Sequence, residues 1–147
     1  VTSAAEMFEA ASGEFDSANI TILCAAVADF RPETQADEKI KREKDDLVIR
    51  LKPTQDIAAN LGARKRDDQI MVGFALETNN EAENAQGKLK RKNLDFIVLN
   101  SLKDANACFG YDTNKITIIE KNGEIKAFDL KSKTEVAKDI IDNICKA

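Results

Sequence analysis

The segment KLKRKNLDFIVLN, residues 88–100, sets four cations in five positions directly before an apolar run. Lys88 and Lys92 stand at i and i+4 and so share one face of a helix. Like charges placed that way repel by a few tenths of a kcal/mol, a cost that an anion between them would remove. A grip on a polyphosphate is the chemistry this suits. The competing reading is a solvated helix end, because Glu81 and Glu83 lie near the start and Lys88, Lys90, Arg91 and Lys92 near the end, as the helix dipole favours. AAVADFRP (25–32) puts a lone carboxylate, Asp29, just past an apolar run. There it suits a ribose, an amine or a metal ion, or it caps a turn. EKIKREK (38–44) is either a solvated loop or a flap that carries Lys39 over a phosphate. GFALETNN (73–80) brings Gly73 into a strand interior, where glycine often marks close approach by a ligand or another backbone. Phe74 then lies against a base, or else belongs to the core.

Elements must hold these groups, and the bulk properties bound what they are. The chain has 147 residues, 43% of them hydrophobic and 33% charged, which suits one soluble α/β-sized domain. Its net charge of -4 argues against non-specific binding to nucleic acid. There is no histidine, which removes serine–histidine and cysteine–histidine relays and the commonest zinc ligand. Cys24, Cys108 and Cys145 form no CxxC pair, so a zinc ribbon is not indicated, and Cys24 reads as a small core residue. A reduced, cytoplasmic compartment fits best. No apolar run is long enough to span a membrane.

Along the chain, residues 3–12 read as a helix capped by Ser3 with Glu6 three residues on, ended by Gly13. ITILCAAVADF (20–30) fits a strand buried on both faces. Residues 31–46 read as a mobile loop and 47–52 as a short strand. A helix over 53–66 starts at Thr54 or Gln55. Buried strands are expected at 69–77 and 95–101, with a helix over 79–92 between them. Residues 115–130 form a hairpin around Asn122–Gly123, a type I′ turn signal. An amphipathic helix over 133–147 closes the chain. Strands alternating with helices imply right-handed crossovers and a mostly parallel sheet, with the hairpin as an antiparallel edge. The expectation is a single Rossmann-like, three-layer α/β domain over 1–147, with ligands at the carboxyl ends of its strands. A helix of about 12 residues is ~18 Å long, which sets Lys92 far from that end.

AAVADFRP, EKIKR, KPTQDIAANL, VGFALETNN, KLKRKNLDFIVLN, an FGYDTN loop and the hairpin follow one another in that order. So arranged, the chain resembles the phosphopantothenoylcysteine synthetase (phosphopantothenate–cysteine ligase) family over essentially its whole length. Members usually form the C-terminal half of a bifunctional flavoprotein of coenzyme A synthesis. The resemblance implies a Rossmann-like domain that dimerises and uses CTP and Mg²⁺. FMN would belong only to an upstream decarboxylase half. The implied partners are 4′-phosphopantothenate, L-cysteine and CTP, with no nucleic acid and no membrane. The substrate carboxylate attacks the α-phosphate of CTP, and the cysteine amine then displaces CMP.

Carried over residue by residue, the resemblance puts Ala25 and Asp29 at the nucleotide. It puts Lys39 on the loop that closes over the reactants, as the catalytic cation. Gln55, Asp56, Ile57 and Ala58 lie beside the nucleotide, although TQDI stands where the family commonly has NPDI, which touches the Gln55 contact. Phe74, Lys88 and Lys92 match CTP contacts, while Lys90 and Arg91 face solvent. The family also carries an upstream glycine-rich strand–helix unit and an asparagine-containing segment that this sequence does not include. The chain is therefore expected to fold and to bind CTP or CMP while being weak or inactive as a ligase. A non-catalytic nucleotide-binding or dimerisation module is the alternative. A dinucleotide dehydrogenase is disfavoured by the lack of GxGxxG. The 115–130 hairpin is the expected dimer contact, since an uncovered edge pair seeks a partner.

Overall fold

The most apolar runs of the chain have no polar face to offer water, and they form the centre of one sheet. A computed structural model describes residues 1–42, 46–77, 79–104, 106–107 and 110–146. Helix α1 (Ala4–Phe15) leads into β1 (Ile20–Leu23), a short ribbon of β2 (Phe30–Pro32) and β3 (Leu51–Pro53), and α2 (Ile57–Ala63). Then come β4 (Ile70–Glu77), α3 (Glu81–Arg91) and β5 (Phe96–Ser101). After β6 (Thr113–Asn114), strands β7 (Ile116–Glu120) and β8 (Ile125–Ala127) form the hairpin, and β9 (Lys131–Ser132) precedes α4 (Lys133–Ile144). The main sheet runs β1-β4-β5-β7-β8. Its first three strands are parallel and the last two antiparallel. This is the expected Rossmann-like sheet of mostly parallel strands with helices on its faces.

Strand periodicity assigns the two faces. Met71, Ala75, Ile97 and Leu99 pack with Phe15, Ile57, Leu61, Ala85 and Leu89 beneath α1, α2 and α3. Val72, Phe96, Val98, Ile116 and Ile118 meet Val136, Ile140 and Ile144 of α4. At the amino ends of β4 and β5, Asp95 accepts the Met71 N–H at 2.7 Å and holds the Lys65 ammonium at 2.7 Å. Only 6% of the Lys65 side chain is exposed, so this pair pins the amino edge of the sheet.

Several local expectations change. Gly13 does not end α1, because the buried Phe15 anchors one more turn. The run 20–30 is not one strand buried on both faces. It leaves the sheet after Leu23, and Ile20 and Ile22 stay 49% and 39% exposed. They share a face with Ile70 and Val72, their register partners, but α4 packs over the strands beyond. Cys24 is exposed for the same reason. Helix α2 starts later than expected, with Asp56 as its cap. The hairpin turn is not type I′: only Gly123 has positive φ, at 94°. The Gly123 N–H donates to Glu120 O and the Glu120 N–H to Glu124 O, closing a three-residue loop with glycine in the left-handed position. What stands nearest Gly73 is a side chain and not another backbone: a Cβ there would lie 2.6 Å from Leu94 Cδ1, so the glycine makes room for a core leucine. Between β2 and β3, the described residues 33–42 and 46–50 carry no strand or helix, and the remainder of EKIKREK lies outside the described residues.

Candidate functional site

Strand β1 ends at Leu23, in register with Gly73 in the middle of β4, and the chain leaves the sheet there. Two hydrogen bonds close the base of the β2–β3 ribbon there. The Thr54 N–H donates to Asp29 O at 2.8 Å, and the Thr54 hydroxyl to Ala28 O at 2.6 Å. They fix Asp29 next to the start of α2. Asp56 caps that helix by accepting the Ala59 N–H at 3.0 Å. A cavity of about 470 Å³ results, within the range of small-molecule sites. Ala25, Asp29, Gln55 and Asp56 line it, as do Ile57, Ala58, Phe74 and Lys92. Eight of the ten positions expected at the nucleotide thus share one cavity. Met7 and Ala11 of α1, with Leu23 and Val27, supply apolar wall that sequence reasoning did not assign.

The two lysines reach this region by different routes. Helix α3 has close to its expected length, and the side chains reach back toward the crevice. Lys92 ends on Asp56, with Nζ 3.0 Å from Oδ1. Close packing of α2 on the end of α3 makes this possible: a Cβ on Gly62 would lie 2.0 Å from Lys92 O, and the Asn93 side-chain amide donates to Gly62 O at 3.0 Å. Partial burial alone would raise the Asp56 pKa. The Ala59 N–H and the Lys92 ammonium, helped by Arg91, outweigh that and hold it below the ordinary carboxylate value. Lys88 does not line the cavity. Its ammonium lies 2.6 Å from Glu77 Oε1 at the carboxyl end of β4. Lys88 and Lys92 are partly buried, whereas Lys90 and Arg91 are exposed, so the cluster divides by exposure as expected.

Lys39 is exposed in the irregular segment after β2, outside the cavity wall, and its ammonium has no ion-pair partner among the described residues. A second groove of about 410 Å³ opens on the α4 face. It shares Cys24, Ala25 and Phe74 with the first and adds Asn100, Asn114, Lys133 and Val136. Phe74, partly buried, therefore lines both spaces while packing against the core beneath α4. A separate cleft of about 510 Å³ beside Asn80 and Thr117 contains none of the expected residues. Its cations are matched by carboxylates, Lys103 with Glu81 at 3.2 Å and Lys115 with Asp104 at 2.8 Å, so it offers no surplus charge to an anion. Among the described residues no cluster of three or more metal-ligating side chains occurs. No described helix is long and apolar enough to cross a membrane.

Residues 1–147 match the family described as DNA/pantothenate metabolism flavoprotein C-terminal domain. The chain is 60% identical over 144 residues to a protein of an unknown prokaryotic organism named cysteine/cysteine sulfinic acid decarboxylase, covering 98% of this chain and 40% of that protein. It is 44% identical over 144 residues to the coenzyme A biosynthesis bifunctional protein CoaBC of Bacillus subtilis (strain 168), covering 98% of this chain and 35% of that protein. The chain thus spans two fifths or less of the length of these curated relatives. Among solved structures, the crystal structure of the C-terminal domain of CoaBC matches with a TM-score of 0.76 at 37% identity, over 98% of this chain and 62% of that one.

Proposed function

The chain belongs to the family of the DNA/pantothenate metabolism flavoprotein C-terminal domain, and from that premise we propose that it is a phosphopantothenate–cysteine ligase domain of coenzyme A biosynthesis that activates its acid substrate with CTP. The observation that carries the reading is the single cavity holding Asp29, Asp56, Phe74 and Lys92 at the carboxyl edge of the sheet. An aromatic wall suits a base, and cations suit phosphates. The adjoining apolar groove, which shares Phe74 as a wall, suits the aliphatic arm of 4′-phosphopantothenate. In this reading the domain works in the cytoplasm, as part of a dimer and fused to a flavoprotein decarboxylase.

The chemistry matches what the chain has. A carboxylate is already nucleophilic, so no histidine is needed to activate it. Its oxygen bonds to the α-phosphorus of CTP while the bridging α–β oxygen leaves with pyrophosphate. The amine of L-cysteine then bonds to the acyl carbon, loses a proton, and CMP departs. Lys92, Lys88 and the flap residue Lys39 oppose the charge that gathers on the phosphates. Positioning of the reactants by the cavity is worth up to ~7–11 kcal/mol. Asp29 and Asp56 fit a magnesium ion bound mainly through substrate phosphates, for Asp56 commits Oδ1 to Ala59 and Lys92 and leaves Oδ2 without an intramolecular partner among the described residues. Mg²⁺, when bound, neutralises phosphate charge and eases departure of pyrophosphate.

Calorimetric titration of CTP and ATP, each with Mg²⁺, beside Lys92→Ala, tests this. CTP is expected to bind in preference to ATP, and the variant to weaken CTP binding about tenfold or more, the worth of a charge-assisted contact. Equal binding of both nucleotides would leave only a generic basic surface, the non-catalytic reading. The decarboxylase name belongs to the whole of the 60%-identical relative. Release of CO₂ from cysteine by this chain without CTP would replace the ligase reading.

A further inference from the structure

Glu77 is a partly buried carboxylate at the carboxyl end of β4, on the face covered by α3. Its side chain is 13% exposed. Oε2 accepts a hydrogen bond from the Asn84 side-chain amide at 3.2 Å, and the same amide donates to Asn79 O at 2.9 Å. Oε1 is shut off from solvent and has no hydrogen bond of good geometry among the described residues. Its partner is the charge of Lys88, 2.6 Å away. A buried carboxylate oxygen is costly to leave without any partner, so the attraction for that ammonium is strong.

The backbone of Lys88 lies on the third turn of α3, seven residues from the helix start at Glu81. At 1.5 Å per residue that is ~10 Å along the helix from its start. A lysine there would by default extend into water, as Lys90 does. Glu77 draws this one up along the helix to the carboxyl edge of the sheet. Asn84, one turn ahead of Lys88, fixes the carboxylate that does so.

We propose that Glu77 is the positioning residue for Lys88, holding its ammonium at the carboxyl end of β4, outside the cavity wall, where a triphosphate that extends beyond the cavity takes it over. This rests on the CTP reading above. Glu77 does not touch the nucleotide; it determines where a cation that does so is found. The Glu77–Asn84 pair thereby makes the site selective for a nucleoside triphosphate over a monophosphate, because Lys88 lies away from the wall that would meet the sugar and base.

The test is titration of CTP and of CMP, with Mg²⁺, into the unaltered chain, Glu77→Gln, Lys88→Ala and the double variant, with thermal melts alongside. Glu77→Gln is expected to weaken CTP about tenfold, to leave CMP within twofold, and to add nothing in the Lys88→Ala background. Should Glu77→Gln fold poorly, Asn84→Ala at an exposed position gives the same CTP-selective loss in smaller degree. Tighter CTP binding by Glu77→Gln would mean that the carboxylate merely competes for the lysine, and would overturn the proposal. So would equal losses for CTP and CMP, or a loss that persists without Lys88. If Lys88→Ala binds CTP normally, the nucleotide role of Lys88 fails and the proposal with it. If Lys88→Ala weakens CTP but Glu77→Gln does not, only the proposal falls. No CTP binding by the unaltered chain overturns both.

Discussion

Asp56 joins stability to the site in one side chain. It caps α2 through the Ala59 N–H, holds Lys92, and faces the cavity. Because its pKa in the folded chain is lowered, its contribution to stability is full above the unfolded aspartate value of ~3.9 and is lost as pH falls through the lower folded value. Asp56→Asn keeps a capping oxygen but removes the charge. Denaturant unfolding at stepped pH is expected to show a shallower acid loss of stability for the variant, with a difference that closes once the pH falls below the lowered folded value. An unchanged acid slope would mean that the ion pair contributes nothing, as many exposed pairs do. At this scale the sequence showed which residues carry charge but not what they meet. Lys88 and Lys92 read alike as an i, i+4 pair, yet one ends on Glu77 and the other on Asp56. Cys24 and Gly73 were misread for the same reason: exposure and close approach are properties of neighbours far away in sequence.

Helix α3 is aimed by its contacts at both ends. Asn80 opens it in the left-handed region, at φ 45°, with no side-chain capping bond. Its far end lies against Gly62 of α2. That glycine is required by the approach of Lys92 O, since backbone on both sides leaves no side chain that could yield. Gly62→Ala is expected to cost about 1–3 kcal/mol, as overpacking does, and to weaken CTP binding because Lys92 is carried away from Asp56. Urea unfolding and titration of the same variant check the two effects together. Stability lost with CTP affinity unchanged would separate the helix contact from the site. The helix itself was legible from its periodicity and from the acidic-to-basic polarity along it, which are local signals. The use of Gly62 was not, because nothing in NLG distinguishes a packing glycine from a frayed helix end.

On the scale of the molecule, the apolar surface left outside is unevenly spread. The ribbon and its flanks expose Phe30, Leu47, Val48, Ile49 and Leu51, whereas the outer hairpin strand exposes Ile125. Contiguous exposed apolar residues mark interaction surfaces more strongly than one isolated side chain. If the chain dimerises as proposed, Val48→Glu is expected to shift it toward monomer in sedimentation velocity, and Ile125→Glu to leave it unchanged. The reverse result would return the contact to the hairpin edge, where the sequence pattern first suggested it.

The sequence by itself determined the order and kind of the central elements, the mostly parallel sheet, the hairpin and the family resemblance. Those follow from periodicity, β-branching and turn residues, which act within a few positions of the chain. Strand 70–77 and strand 96–101 were legible because unbroken apolar runs have nowhere to go but a sheet centre. Only the tertiary structure decided which cations face which carboxylates, that α4 covers β4, β5 and β7 but leaves Ile20 and Ile22 of β1 in water, and that Phe74 lines two spaces. Each of those depends on how far a helix reaches across a sheet or a lysine along a helix, and such distances are set by packing between segments that the sequence places dozens of residues apart.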